Sequence, residues 1–246
     1  MNKTVLITGS SRGIGKATAI EFAKNNYNII INYVSNDKKA KELKDYIINT
    51  YNVDVMLAKA DVSKEDEVKE MVSNAIKKFN TIDVLISNAG IAIDTTFKDK
   101  TVENFKRILD VNLVGAFIVS KVVSKYMFEQ KKGTIINVSS TNGIDTFYPY
   151  SMDYDASKAG LISLTHNLAV ELAPYINVNS VAPGWVNTEM NKELDQDYIN
   201  EECEKIFLKR FAEPEEIAKV IVFLASDNAS YINGEVIRVD GGSYHA

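Results

Sequence analysis

The chain has 246 residues, 46% hydrophobic and 25% charged, with 28 basic and 33 acidic side chains and a net charge of −5. This is ordinary globular composition with a slight acidic balance, which excludes an electrostatic footprint for nucleic acid or an anionic membrane. A single cysteine, Cys203, excludes an internal disulfide or a cysteine-based metal cluster, and no apolar run approaches the ~18 residues of a membrane span.

The opening residues turn polar too early for a signal peptide, so a soluble cytoplasmic protein without a metal is expected. Short β-rich runs alternate with longer amphipathic ones. Strands are predicted over 4–8, 28–33, 54–58, 82–87, 134–139, 176–182 and 235–239. Several are near-continuous apolar runs, as in strands covered on both faces. The first runs into Thr8-Gly9-Ser10-Ser11-Arg12-Gly13-Ile14-Gly15, and a helix is predicted over 16–25. A strand, a glycine turn and a helix start make a phosphate site, because the backbone can approach closely and free N–H groups favour anions. The second strand ends without the acid that an NAD ribose requires; Asp37 comes late. Arg12 is instead placed to meet a 2′-phosphate, which favours NADP(H) and leaves NAD(H) open. Ser63, followed by Lys64-Glu65-Asp66, reads as a helix cap with first-turn acids.

The fifth strand ends at Val138-Ser139-Ser140, where a hydroxyl can reach a reacting oxygen. Tyr154 and Lys158 follow, one helical turn apart on one face. Of the twelve tyrosines, only Tyr154 has lysine four residues on. A phenol titrates near pH ~10, and a neighbouring ammonium is expected to lower that value, giving a general acid for a carbonyl or a base for an alcohol. After the sixth strand, residues 184–212 carry no predicted strand. Seven acids lie between Thr188 and Lys205 (Glu189, Glu193, Asp195, Asp197, Glu201, Glu202 and Glu204). The segment reads as a solvated excursion or a mobile substrate lid. Alternating β and α segments without a linker or repeat predict one α/β domain over 1–246, a doubly wound parallel sheet of about seven strands with helices on both faces.

With these pieces in order, the chain resembles a short-chain dehydrogenase/reductase over essentially its whole length. Thr8-Gly9 with Gly13 and Gly15, Asp61-Val62, Asn88-Ala89-Gly90, Asn112, Ser140, Tyr154 with Lys158, and Pro183-Gly184 with Thr188 carry the resemblance. It implies a Rossmann-type fold and a nicotinamide cofactor. Gly9, Gly13 and Gly15, with Ser11 and Ile14 in the same loop, would hold the pyrophosphate, and Asp61 with Val62 the adenine. Asn88 and Gly90 would line the cleft, and the Val186 backbone and Thr188 hydroxyl would anchor the nicotinamide amide. Tyr154 would be the acid/base and Ser140 would orient the substrate oxygen. Lys158 would bind the ribose and lower the phenol pKa, and Asn112 would hold a water leading from Lys158 to solvent. Ser140 is preferred to Ser139 because Gly143 follows it by three.

Within the family the likeness is strongest to bacterial 3-oxoacyl-acyl-carrier-protein reductases, which implies a 3-oxoacyl thioester substrate, an acyl carrier protein as partner, a place in fatty acid biosynthesis and a homotetramer. Two features count against that substrate. The turn 173–176 lacks the arginine expected to meet an acidic carrier, and 184–212 is itself acidic, although Lys131 and Lys132 lie near a second docking point. A sugar, alcohol or small-ketone dehydrogenase is the alternative. The aromatic stretch 144–150 reads equally as a pocket wall or a subunit contact. Outside the class, a serine hydrolase lacks its Gly-x-Ser-x-Gly elbow, and a non-catalytic NADP sensor has no need of an intact Ser, Tyr and Lys.

Overall fold

The computed structural model describes residues 2–145, 147–191 and 194–243. Seven parallel strands form one sheet: β1 (Thr4–Ile7), β2 (Asn28–Tyr33), β3 (Val55–Lys59), β4 (Val84–Ser87), β5 (Gly133–Val138), β6 (Ile176–Pro183) and β7 (Val236–Val239), in the order β3-β2-β1-β4-β5-β6-β7. The helices are α1 (Gly13–Lys24), α2 (Asp37–Thr50), α3 (Glu65–Phe79), α4 (Val102–Leu109), α5 (Gly115–Gln130), α6 (Met152–Glu171), α7 (Gln196–Lys205) and α8 (Pro214–Leu224).

Two cores follow from the period-two alternation of strand side chains. Val5, Ile7, Ile29, Ile31 and Ile86 point to one face, where Phe22 of α1, Leu43 and Ile47 of α2, and Ile217 and Ile221 of α8 cover them. Leu6, Ile30, Leu85 and Ile135 point to the other, beneath Val68 and Val72 of α3 and Val119 and Val123 of α5. Burial on both sides explains why these strands read as unbroken apolar runs. β1 pairs with β2 on one side and β4 on the other. The chain reverses its direction of travel there, and such a switch point opens a ligand crevice at the carboxyl ends of the strands.

Two local expectations are corrected. The first helix begins at Gly13 rather than Lys16, with the Lys16 N–H donating to Arg12 O at 3.1 Å. The glycines therefore form its first turn. Ser63 is not a helix cap: its hydroxyl donates to Asp61 Oδ1 at 2.7 Å, and α3 starts two residues later behind Lys64. The acids Glu65, Asp66 and Glu67 still fill its first turn, where the helix dipole favours them.

Among the described residues, 184–212 holds a 3-10 turn (Glu189–Asn191) and α7 but no strand, only two isolated bridges, Ile206 with Ser243 and Val186 with Ala212. The second bridge pins the ends of the excursion together. Trp185 stacks on Phe211 with ring centroids 5.3 Å apart, and Tyr198 of α7 meets the same indole edge-on at 6.0 Å.

Candidate active site

Gly9 turns the chain at the end of β1 with φ +61°, and a Cβ there would lie 2.9 Å from Ala89 Cα. The position requires glycine for both reasons. Two asparagines hold the turn. Asn88 Nδ2 donates to Thr8 O and Gly9 O at 2.9 and 3.1 Å, and Asn32 Oδ1 accepts the Gly9 N–H at 3.1 Å. The loop thus opens onto the start of α1, whose N-cap residue, Arg12, makes no side-chain capping hydrogen bond. The first-turn N–H groups lack that partner, as an anion site needs. Ile14 packs its side chain against the core and stays partly exposed. Ser11 lies half-buried on the same turn. Thr188 comes over this loop: a Cβ on Gly13 would lie 3.5 Å from its methyl group, and its N–H donates to Val186 O at 2.8 Å.

Arg12 is not alone at the mouth. Its Nη1 lies 3.9 Å from one oxygen of Glu189, and Lys39 Nζ pairs with the other. Asn36 caps α2 through the Lys39 N–H at 3.2 Å, which places Lys39 in the first turn after β2. That cap was the signal in the sequence by which Lys39 could have been found. Asp37 is occupied by Lys59 and by the Tyr33 hydroxyl, at 3.1 Å each, and these contacts hold its carboxyl below the ordinary value.

At the other rim, Asp61 accepts from Ser63 and, at 3.0 Å, from Arg107 of α4. Burial raises its pKa, but the Ser63 hydrogen bonds and Arg107 outweigh it, so the carboxyl stays below its usual value. The Val62 side chain is buried against Gly115, where a Cβ would lie 2.7 Å away. A contact between Val62 and a ligand in the crevice therefore falls to its main chain.

The side chains expected to react gather at the end of β5, where Lys158 Nζ meets Val138 O. Ser139 is committed to the fold: its hydroxyl donates to Val181 O at 3.1 Å and accepts from Ser180 Oγ at 2.8 Å. Ser140 is the serine beside the Tyr154 phenol, whose pKa it pulls down, and its Oγ accepts the Asn142 N–H at 3.2 Å. Gly143 permits this approach, because a Cβ there would sit 2.6 Å from the Lys158 carbonyl carbon. Lys158 is 3% exposed, donates to Val138 O at 2.8 Å, and has its ammonium 5.4 Å from the Tyr154 ring centroid. Gly90 faces the same ammonium, since a Cβ on it would be 3.6 Å from Nζ.

Asn112 lies in a π-turn (Asp110–Val114) between α4 and α5, a distortion that often marks functional sites. Its amide is fully used: Oδ1 accepts the Ile91 N–H, and Nδ2 donates to Ile91 O and Ser157 Oγ, all at 2.9–3.0 Å.

The electrostatics correct one expectation. Burial pushes the Tyr154 phenol up to about 12, against the pull of Ser140, and the carboxylates of Asp155 and Asp94 add to the rise. Lys158 does not lower it in this arrangement; its ammonium faces Val138 O and the phenol ring. Burial also pulls Lys158 down to about 8. At neutral pH the chain alone therefore presents a protonated phenol beside a charged, partly desolvated lysine, which suits proton donation to a carbonyl oxygen.

The 184–212 segment reaches the aromatic stretch 144–150. Tyr198 lies beside Tyr148 of the aromatic stretch, and Glu202 accepts from Trp185 Nε1 at 2.9 Å. Tyr198 is pushed up to about 12 by burial and then by the neighbouring Glu202. The stretch is tethered in turn to β7 through the Asp145–Arg238 ion pair. Thr146 of the stretch, and Lys192 and Glu193 of 184–212, lie outside the described residues, as does His245.

The family model described as "Enoyl-(Acyl carrier protein) reductase" matches residues 9–244. The 3-oxoacyl-[acyl-carrier-protein] reductase of Staphylococcus epidermidis is 40% identical over 99% of this chain and 100% of its own length. That of Thermotoga maritima is 41% identical over 98% of this chain and 97% of its own. The chain belongs to the short-chain dehydrogenase/reductase family. A crystal structure of a short-chain dehydrogenase/reductase from Mycobacterium marinum superposes with a TM-score of 0.92 at 35% identity, covering 98% of this chain and 94% of that one. As a member, this dehydrogenase/reductase is an oxidoreductase of CH–OH and C=O groups that uses a nicotinamide cofactor. No helix among the described residues is long and apolar enough to cross a membrane.

Proposed function

We propose that this dehydrogenase/reductase uses NADPH to reduce the 3-keto group of an acyl thioester to a hydroxyl. The observation that carries the reading is the meeting of the Ser140 hydroxyl, a protonated Tyr154 phenol and the buried Lys158 ammonium where β5 ends. The Gly9 turn and the start of α1 fit a dinucleotide pyrophosphate, since no side chain caps the first-turn N–H groups there. When bound, the cofactor supplies hydride. Ser140 then orients the carbonyl, Tyr154 gives its proton to the oxygen, and Lys158 holds the ribose beside Gly90. Asn112 fixes the Ile91 loop against α6, and the water route from Lys158 starts there. Asp61 and the Val62 main chain take the adenine, Asn88 and Gly90 line the cleft, and Val186 with Thr188 takes the amide.

Two cations on one carboxylate support NADP over NAD. Arg12 and Lys39 converge on Glu189, and a 2′-phosphate can take the carboxylate's place. The double substitution Arg12→Ala/Lys39→Ala is expected to raise KM for NADPH by about 10²-fold and leave KM for NADH within about threefold. Equal losses for both cofactors would refute the assignment.

The relatives' names supply the substrate: a 3-oxoacyl chain on acyl carrier protein. At the turn where a carrier-binding arginine is missing, Tyr175 is exposed and packs edge-on against Phe128 with centroids 6.4 Å apart. The mouth built by Trp185, Tyr148 and Tyr198, with Glu202 and Asp94 nearby, favours a second reading, a small uncharged ketone or alcohol. NADPH oxidation with acetoacetyl-CoA separates the two. Turnover supports the thioester; no turnover by protein that binds NADPH, with turnover of a small ketone, supports the second.

The enzyme works in the cytoplasm, with 184–212 as its substrate lid. It assembles as a homotetramer, for which Val102, Val114, Phe117 and Val170 provide exposed apolar side chains on α4, the π-turn, α5 and α6. Light scattering is expected to give four times the 27.4 kDa chain mass; a monomer would overturn the assembly.

A further inference from the structure

One buried ion pair has no part in the chemistry just described. Lys100, at the end of the irregular segment that follows β4, places its ammonium 2.8 Å from both oxygens of Asp153 and 3.0 Å from Ile93 O. The side chains are 4% and 0% exposed. All three ammonium protons are thereby used. Asp153 is the residue immediately before Tyr154, and its Oδ1 also accepts the Tyr154 N–H at 3.0 Å. That N–H belongs to the first turn of α6, where no helical carbonyl is available to it. The same segment is fastened to the approach of α6 at two further points. The Thr95 N–H donates to Tyr150 O at 3.0 Å, and the Ser151 hydroxyl donates to Asp94.

A buried ion pair is seldom a net source of stability, because desolvation consumes most of the Coulomb gain. Its position is better accounted for by what it holds in place. We infer that Lys100 and Asp153 are positioning residues: the pair clamps the 93–100 segment to the first turn of α6 and so fixes the main chain from which the Tyr154 phenol projects. The clamp also fixes Asp94, whose carboxylate acts on that phenol. Effective proton transfer needs heavy atoms held within a few tenths of an ångström, so a loosened first turn lowers turnover without touching the cofactor cleft.

The inference rests on Tyr154 being the acid of the proposed reaction, and its test includes a readout that needs no substrate. Lys100→Met leaves a buried carboxylate unpaired and is expected to lower the melting temperature. Lys100→Met/Asp153→Asn removes both charges and keeps an acceptor for the Tyr154 N–H, so its melting temperature is expected to return to near the wild-type value. Without the clamp, however, its kcat for acetoacetyl-CoA stays at least about tenfold down, with the Kd for NADPH unchanged. Its Tyr154 amide exchanges with deuterium at least about tenfold faster than in the wild type. A double variant with wild-type kcat and wild-type Tyr154 exchange overturns the inference, as does a loss confined to NADPH affinity. Should the wild type turn over no thioester, the substrate reading fails, while the exchange rate still decides whether the clamp exists.

Discussion

Tyr154→Phe is expected to lower kcat for carbonyl reduction by about 10²–10⁴-fold, the usual contribution of a positioned general acid, and to leave the Kd for NADPH within about twofold. The substitution removes one oxygen and keeps the ring against which the Lys158 ammonium rests. It also deletes a hydroxyl whose ionisation burial already opposes, so the fold loses little. A hydroxyl that must be protonated to act is well served by a value raised to about 12, because it stays protonated throughout the working pH range. Stopped-flow single turnover with preformed enzyme–NADPH complex reads the chemical step directly. A Tyr154→Phe variant with wild-type kcat would return the molecule to the class of cofactor-binding folds that act without this phenol.

Lys158→Met is expected to abolish most activity and yet to raise stability at pH 7. Burial depresses the folded lysine from 10.5 to about 8, which corresponds to roughly 3 kcal/mol of destabilisation while it is charged. Losing the hydrogen bond to Val138 returns about 1 kcal/mol. The sign with pH follows from proton counts. Between about 8 and 10.5 the unfolded lysine holds more proton than the folded one, so wild-type stability rises with pH there. The advantage of the Met variant is therefore full below about pH 8 and shrinks as pH rises towards 10.5. Above about pH 10 the raised Tyr154 phenol works in the opposite direction, since the unfolded chain then loses protons first. Denaturant unfolding of both proteins at about pH 7 and about pH 9.5 measures the difference; a gap that widens with pH contradicts the depressed lysine. The same depression predicts that kcat/KM for NADPH, which reports the free enzyme, falls as pH rises through about 8.

Much of this was legible in the residues. Strand positions followed from apolar runs such as Asn28–Tyr33, because burial on both faces leaves no polar alternation to misread. The glycine turn, Asn88, Ser140, Tyr154 and Lys158 could be placed because each sits at the carboxyl end of a strand or in the turn or helix that follows it. The errors were of two kinds. Cap identity failed at Ser63, since its hydroxyl had a nearer partner in Asp61 that no linear pattern reveals. The phenol pKa failed for a different reason. Four-residue spacing puts Tyr154 and Lys158 on one face, but the spacing does not report where a long side chain ends, and here it ends on Val138 O. The pairings of Lys39 with Glu189 and of Lys100 with Asp153 were hidden for the same cause, since the partners lie far apart along the chain.

Isotope transfer shows whether a carbonyl is reduced in the crevice beside Tyr154. NADPH carrying deuterium at the transferable C4 position is incubated with the protein and acetoacetyl-CoA, and the product is examined by mass spectrometry. The expected product is 3-hydroxybutyryl-CoA with one deuterium on C3, formed by the wild type and lost in Tyr154→Phe. Product without deuterium, or deuterated product formed equally by both proteins, would contradict it.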